Sequence, residues 1–520
     1  MQYGKSITVS PVRGEIKTSD GFPIAANKIT YLVVANPKEI KDVSKVTDQL
    51  SGLLGIDPAS VSASLRLDKY WVAIARNIDM ETKIKVEKLK LQGVGFEQQS
   101  TRFYPEASMA AQLIGFVGKD DFGKDKGYFG IEGYFERLLS GKEGKAIRVN
   151  DAFGKPILAE TNIITNQIDG STLILNVNRS AQFLVERRLK QGIDKYGASS
   201  GMVAVMEPST GNIIAMASLP AFDPKNYKDY ESSLYKNPFV SDTYEPGSTF
   251  KPLIMSAALD AKLVTPTTRC NTCSGPVSIG GFDIHTWNDK YYGNINMIDV
   301  IMHSDNTGMV FVAQKLGLSR MLSYLDKFGI GKTTGIDVQG EVAPWIKPKD
   351  QWYTVDLATA GFGQGISVTP IELLGAISAI ANYGKRMEPH VVGSVVSPDG
   401  TITKIKPKEL DKPISPETAK VMTEIMINAV NKGEAQWTRL KGYRIAGKTG
   451  TASIPIAGHY DPTQTIASFV GFAPADKPKF VMLVVLNRPQ SSIYGAETAA
   501  PIFFNIARDL LNYYEIPPDE

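Results

Sequence analysis

A serine followed three residues later by a lysine, Ser248-Thr249-Phe250-Lys251, lies where a turn gives way to an apolar run, within Glu245-Pro246-Gly247-Ser248-Thr249-Phe250-Lys251-Pro252. The chemistry open to such a pair is nucleophilic. Pro246 and Gly247 punctuate a turn, Pro252 is tolerated in a first helical turn, and Leu253, Ile254, Ala257 and Ala258 recur at helical spacing. Ser248 is therefore expected at a helix N-terminus, where unpaired backbone N–H groups and the positive end of the dipole stabilise charge developing on the serine oxygen. Lys251 lies one turn on along the same face. Shielded from water and close to a second cation, it would lose its proton readily enough to act as the base. Spacing alone decides nothing, because Ser233-Leu234-Tyr235-Lys236 shares it without a comparable helix behind it, and a capping serine with a solvated lysine accounts for a lone match.

Acyl transfer to serine also needs a proton donor for the leaving amine, an oxyanion hole and a handle on the substrate. Two short stretches offer these: Ser304-Asp305-Asn306, after the apolar Met297 to Met302, and Lys448-Thr449-Gly450-Thr451, which leads into strands. Ser304 can relay a proton towards the leaving nitrogen and Asn306 can hold a substrate amide. Lys448 supplies a positive charge that favours a neutral Lys251. Thr449 and Thr451 offer hydroxyls to a carboxylate. On an edge strand beside the serine, the backbone N–H groups of Ser248 and Thr451 would point at one carbonyl oxygen, and Gly450 would let substrate approach the strand closely. Singly, Ser-Asp-Asn reads as a turn or cap and Lys-Thr-Gly as an exposed strand end. A Ser-His-Asp site lacks support, with no Gly-x-Ser-x-Gly and four histidines in all. His303, just before Ser304, reads as a helix-end histidine or as a neighbour of the site.

The elements that must position these residues fit a chain of 520 residues with 43% hydrophobic content, enough for more than one core. A net charge of +3 leaves no electrostatic footprint for nucleic acid. No apolar stretch approaches the ~20 residues of a membrane helix, and no secretory signal opens the chain, so a soluble protein is expected. Cys270 and Cys273 are the only cysteines. With His285 as at most a third ligand they make a poor zinc site, and they read as a loop pair able to close a short disulfide in an oxidising compartment. No metal or cofactor is called for.

The first part of the chain alternates around turns to residue 36. Helical spacing then runs from Ile40 to Leu53, with a further helix after the Asp57 cap, a strand at Tyr70 to Ala75 and a surface helix at Asp79 to Leu91. Periodicity weakens from Asp151 to the Asp169-Gly170 turn, where a boundary separates domains 1–168 and 169–520. Beyond it come a strand at Ser171 to Val177, a helix capped by Asn178, and two apolar strands, Met202 to Met206 and Ile213 to Ala217, both able to be central. Thr465 to Phe472 and Phe480 to Leu486 add strands, and Glu497 to Tyr513 a last helix. The pattern is α+β, or three layers with the sheet between helices.

The three motifs in this order are a set known from penicillin-binding proteins and class A β-lactamases. Over nearly its whole length the chain resembles a class B penicillin-binding protein, closest to the division type. The resemblance is carried further by Met216-Ala217-Ser218-Leu219-Pro220-Ala221-Phe222-Asp223-Pro224, by Gly361-Phe362-Gly363-Gln364-Gly365 with Val368-Thr369-Pro370, and by Gly442-Tyr443-Arg444-Ile445-Ala446-Gly447 running into Lys448. Arg13-Gly14-Glu15-Ile16, Arg102-Phe103-Tyr104-Pro105 and Gly130-Ile131-Glu132-Gly133 look like motifs of that family's non-catalytic pedestal domain. One departure is Thr18-Ser19-Asp20-Gly21, where the family usually continues with an Asp-Arg-Asn-Gly-like stretch.

The resemblance implies a transpeptidase fold with an antiparallel five-stranded sheet between helices, plus an elongated α+β pedestal. It implies a serine D,D-transpeptidase cross-linking peptidoglycan stem peptides at the septum, trapped by β-lactams. Its partners would be a membrane glycosyltransferase and other division proteins, and its place the extracytoplasmic face of the plasma membrane. Family members carry an amino-terminal membrane helix, so Met1 is expected to open a chain whose anchor is absent. An elongation-type transpeptidase and a β-lactam sensor or scaffold are the alternatives. A β-lactamase is disfavoured by length and by the lack of Glu-x-x-Leu-Asn, since Glu372 is followed by Leu373-Leu374-Gly375.

Overall fold

The computed structural model describes residues 3–150, 156–456 and 459–518. Met1 and residues 151–155 of the weakly periodic stretch lie outside them. The described residues fall into two compact units. One draws on 1–16, 23–105 and 137–171, the other on 17–22, 106–136 and 172–520.

In the first unit the long strand Pro23–Ala35 pairs antiparallel with both Val72–Ile78 and Val94–Phe103. Helices Val43–Leu54, Pro58–Leu65 and Met80–Lys88 start at Asp42, Asp57 and Asp79, whose carboxylates accept from backbone N–H groups of the first turn. Val46, Leu50, Val61, Leu65, Val72 and Val86 form the core between them. A second sheet joins Tyr3–Val9, Gly144–Asn150 and Pro156–Thr165, with the middle segment central. The Arg102 guanidinium donates to the carbonyl of Gly14 at 2.7 Å, tying two of the N-terminal motifs together within this unit. The third motif, Gly130 to Gly133, belongs to the other unit, where Gln339 donates its N–H to the Gly130 carbonyl and its side chain accepts from Phe129 N–H at 2.7 Å.

The second unit is built on strands β1 (Ser200–Met206), β2 (Ile213–Leu219), β3 (Ala446–Ile456), β4 (His459–Ala473) and β5 (Phe480–Asn487), antiparallel throughout in the order β2-β1-β5-β4-β3. Its main helices are α1 (Arg179–Tyr196), α2 (Lys251–Asp260), α3 (Asn306–Leu316), α4 (Pro370–Ala381), α5 (Pro416–Lys432) and α6 (Ala499–Tyr513). Val203 and Val205 of β1, Phe469 of β4, and Phe480, Met482 and Val484 of β5 pack with Val185 and Leu189 of α1 and Phe503, Phe504 and Leu510 of α6. Each such side chain removed from water contributes roughly 1.5–3 kcal/mol. The opposite face of the sheet meets α4, every residue of which is buried. With both faces covered, β5 is apolar at every position from Phe480 to Leu486 instead of alternating. The hairpin strands divide in role: β1 is interior, whereas β2 lies at the edge, and β3 forms the opposite edge.

Candidate active site

Ser248 sits in a 3-10 turn, Gly247–Phe250, that runs directly into α2 at Lys251, with Pro252 in the first helical turn. Glycines make this junction. Gly247 has φ +55° and donates its N–H to the Gly363 carbonyl at 3.0 Å. A Cβ on Gly363 would lie 2.2 Å from the Gly247 oxygen. Tyr244 and Val368 exchange backbone hydrogen bonds of 3.0 Å on one side of the turn, and Gly365 N–H reaches Glu245 Oε1 at 3.1 Å. The segment Gly361 to Gly365 is thus the bed on which the serine turn lies, a closeness only a missing side chain permits. In front of the turn, a Cβ on Gly450 would meet Ser468 Oγ at 2.3 Å and Thr249 Cγ2 at 2.8 Å. The protein's own packing thus also favours glycine at 450, beside the expectation that it lets substrate approach the strand.

The side chains converge. Ser248 is half-buried, while Lys251 is 0% exposed and Ser304 3%. Ser304 Oγ donates to Ser248 Oγ at 2.9 Å and accepts from Lys251 Nζ at 3.2 Å. Lys251 Nζ also donates to the Ser304 carbonyl at 2.6 Å and to Asn306 Oδ1 at 2.8 Å. The hydrogen-bonded path from the nucleophile to the lysine runs through Ser304. That serine has φ +55°, a conformation that costs a non-glycine residue ~1–2 kcal/mol and is held by the helices either side of it. Asp305 begins α3 by accepting from Gly308 N–H and Thr307 Oγ1, which aims Asn306 back at the lysine.

Burial holds Lys251 well below the usual lysine pKa, and the charge of Lys448 adds to this, against the opposing pull of Glu434 and Asp305. Burial also lowers Lys448, again against Glu434. Lys448 lies on edge strand β3, where its Nζ donates to Thr449 Oγ1 at 3.0 Å and to the Thr449 carbonyl at 3.2 Å. The Thr449 hydroxyl donates to Glu434 Oε2 at 2.8 Å. Thr451 Oγ1 accepts from Gly495 N–H at 3.0 Å and keeps its own proton to donate. The carbonyl of Thr451 lies 3.1 Å from where a Cβ on Gly247 would stand, so the backbones of Thr451 and the serine turn are neighbours.

The excursion between α2 and α3 closes one wall. Cys270 and Cys273, left open by the sequence, form a disulfide there. The His285 carbonyl accepts from Asn306 Nδ2 at 2.9 Å, and Trp287 Nε1 donates to the His303 carbonyl at 3.3 Å. The Trp287 ring meets Tyr494 edge-on at 5.4 Å, and His303 stacks on Tyr292 at 3.9 Å as the C-cap of Met297–Met302. Ser233 and Lys236, with the same spacing as Ser248 and Lys251, are exposed. Glu372 caps α4 and accepts from Gly331 N–H at 2.8 Å and Thr369 N–H at 2.6 Å. Among the described residues no cluster of metal-ligating side chains occurs. Glu434 and the His285 carbonyl were missed by sequence reasoning. The first is an ordinary glutamate in a polar stretch, and the second is a backbone atom that no residue type announces.

Residues 201–508 match the family described as penicillin binding protein transpeptidase domain, and residues 8–175 match the penicillin-binding protein dimerisation domain. The chain is 34% identical to stage V sporulation protein D of Bacillus subtilis, over 99% of this chain and 80% of that protein. It is 30% identical to the peptidoglycan D,D-transpeptidase FtsI of Escherichia coli, over 98% of this chain and 85% of that protein. Among solved structures, a peptidoglycan synthetase from Bifidobacterium adolescentis superposes with a TM-score of 0.80 at 26% identity, covering 100% of this chain and 98% of its own. Penicillin binding protein 3 of Mycobacterium tuberculosis, complexed with aztreonam, superposes with a TM-score of 0.76 at 25% identity, covering 99% and 98%.

Proposed function

The chain belongs to the penicillin-binding proteins, with their dimerisation and transpeptidase domains both present, and from this premise we propose that it is a serine D,D-transpeptidase that cross-links peptidoglycan stem peptides during septal wall synthesis. The observation that carries the reading is Ser304 Oγ standing between Ser248 Oγ at 2.9 Å and the buried Lys251 Nζ at 3.2 Å.

With Lys251 neutral, its two hydrogens serve the Ser304 carbonyl and Asn306 Oδ1 while its lone pair accepts from Ser304 Oγ, which turns to accept from Ser248. Ser248 Oγ then attacks the carbonyl of the penultimate D-alanine, and its proton passes through Ser304 to Lys251. The backbone N–H groups of Ser248 and Thr451 receive the oxyanion. The proton returns by the same path to the leaving nitrogen, the C–N bond breaks, and D-alanine departs. An amine of a neighbouring strand then attacks the acyl-enzyme and gives up a proton to Lys251, the ester C–O bond breaks, and that proton passes through Ser304 to Ser248 Oγ. Asn306 offers its remaining Nδ2 hydrogen to the substrate amide. Lys448, Thr449, Gly450 and Thr451 form the strand against which the terminal carboxylate binds, with Thr451 as its hydroxyl donor. A β-lactam carbonyl enters the same path and stays on Ser248.

Residues 1–168 act as a pedestal that meets a membrane glycosyltransferase and other division proteins, and residues 169–520 carry the chemistry at the extracytoplasmic face of the cell envelope. No described helix is long and apolar enough to cross a membrane. Intact-mass measurement after exposure to benzylpenicillin tests the site: one adduct on the wild type and none on Ser248→Ala is expected, and a wild type without adduct overturns the reading. Release of D-alanine from a stem peptide with an acceptor amine then separates a transpeptidase from a sensor. Cells depleted of the protein filament if it serves the septum and round up if it serves elongation.

A further inference from the structure

Glu434 has no part in the acyl-transfer steps, yet its carboxylate is hydrogen-bonded to the strand proposed to meet substrate. It follows α5 and is half-buried, and its Oε2 accepts a hydrogen bond from the Thr449 hydroxyl at 2.8 Å. That leaves a Thr449 lone pair facing Lys448 Nζ, which donates to it at 3.0 Å. A hydroxyl donates one hydrogen, so the carboxylate fixes which way this chain of bonds runs. Lys448 is 3% exposed, and a buried ammonium without an acid nearby gives up its proton.

We propose that Glu434 is a positioning residue of the acyl-transfer site: through the Thr449 hydroxyl it orients the Lys448 ammonium that receives the substrate's terminal carboxylate. The proposal rests on the transpeptidase reading and adds to it what prepares the anion-binding strand. It also assigns the carboxylate's recognition to two groups, the ammonium of Lys448 and the hydroxyl of Thr451, because the Thr449 proton is already committed. Burial lowers Lys448 and Glu434 opposes this, in the same sense as the geometry. The charged groups that bear on Lys448 are Glu434 beyond α5, linked to it through the Thr449 hydroxyl, and Lys251 from α2, whose own proton the Lys448 charge helps to expel.

The test compares benzylpenicillin with its methyl ester, which presents the same lactam without the carboxylate, on the full chain by acylation rate. In Glu434→Ala the acid-to-ester ratio of second-order acylation constants is expected to fall about tenfold, the size expected when one hydrogen bond to a charged group is lost. Glu434→Gln, whose carbonyl oxygen can still accept from Thr449, is expected to recover most of that ratio. A merely structural glutamate would slow acid and ester alike. Equal losses, an unchanged ratio, or loss of acylation by both reagents overturns the proposal. Should Glu434→Ala lose its cooperative melting transition, Glu434→Leu, which keeps the bulk and cannot accept a hydrogen bond, takes its place. Failure of the wild type to form any adduct on Ser248 would instead overturn the transpeptidase reading, a result separate from these.

Discussion

Lys251→Met removes the titratable end of the buried lysine while keeping an unbranched side chain in its place, and its effect on stability should depend on pH. An unfolded chain holds the lysine proton up to the ordinary value of 10.5, whereas burial and Lys448 make the folded site release it at lower pH. Between those two values the unfolded state binds more protons, so wild-type stability rises with pH there. The sign is that of a base with a depressed folded pKa: the cost is fully present below the folded value and has gone above 10.5. The slope relative to the methionine variant is about 1.4 kcal/mol per pH unit. Against it stands a term that does not vary with pH. Lys251 Nζ serves three acceptors at 2.6, 2.8 and 3.2 Å, one of them the carbonyl of the buried Ser304. An orphaned buried carbonyl costs about 1–3 kcal/mol. Near pH 10.5 the variant should therefore be the less stable protein, and the gap should narrow as pH falls. Urea midpoints of the catalytic unit's transition, measured for both proteins between about pH 7 and pH 10.5, read this directly, because groups common to both cancel. Lys448 loses a like-charged neighbour in the variant, and the same series in a Lys448→Met background isolates the Lys251 contribution. A gap that stays constant with pH would mean that Lys251 titrates alike folded and unfolded. Lys251 would then not be a neutral base beside Ser304.

Gly450→Ala should destabilise by about 1–3 kcal/mol, since the new methyl would stand 2.3 Å from Ser468 Oγ and 2.8 Å from Thr249 Cγ2. Thermal melting of Gly450→Ala with Ser468→Ala should regain part of that loss, and an undisturbed single variant would contradict the packing. Ser304→Gly should be more stable than Ser304→Ala by ~1 kcal/mol, because φ +55° suits glycine alone, while both lose acylation by about 10²–10⁴-fold. Burial pushes Glu372 up to about 7 from 4.5, so its contribution to stability declines as pH rises through that interval. Relative to Glu372→Gln, the wild type should lose up to roughly 3 kcal/mol between those pH values in denaturant titrations, and a gap without that decline would refute it.

The three motifs of the candidate site were legible because each combines an uncommon order of residue types with a local signal, such as the Pro246-Gly247 turn ahead of α2 or the apolar strand beyond Lys448. Asn178 and Asp57 were readable as caps for the same local reason. What stayed hidden depends on contacts distant in the chain. The segment 106–136 packs into the second unit through partners such as Glu186, which takes the N–H of Ala110 at 2.7 Å, and no pattern within the segment announces this. Glu434 is meaningful only once α5 delivers it to Thr449. Gly450 was recognised as needing closeness, but the crowding residues, Thr249 and Ser468, lie on other elements.

The glycines at the serine turn bear on how such a site can change over generations. Gly363 presses on the backbone of Gly247 and Gly495 on that of Gly450, a Cβ on Gly363 falling 2.2 Å from the Gly247 oxygen and one on Gly495 2.2 Å from the Gly450 oxygen. Each would have to be replaced by something larger, so a lineage under antibiotic selection finds this part of the site closed to small adjustments. The paths left open are side chains outside those contacts, such as Trp287 and Tyr494, whose rings meet edge-on. Selection that blunts a drug while sparing the natural peptide would be expected to leave its mark there first, on the walls of the groove and not on its floor.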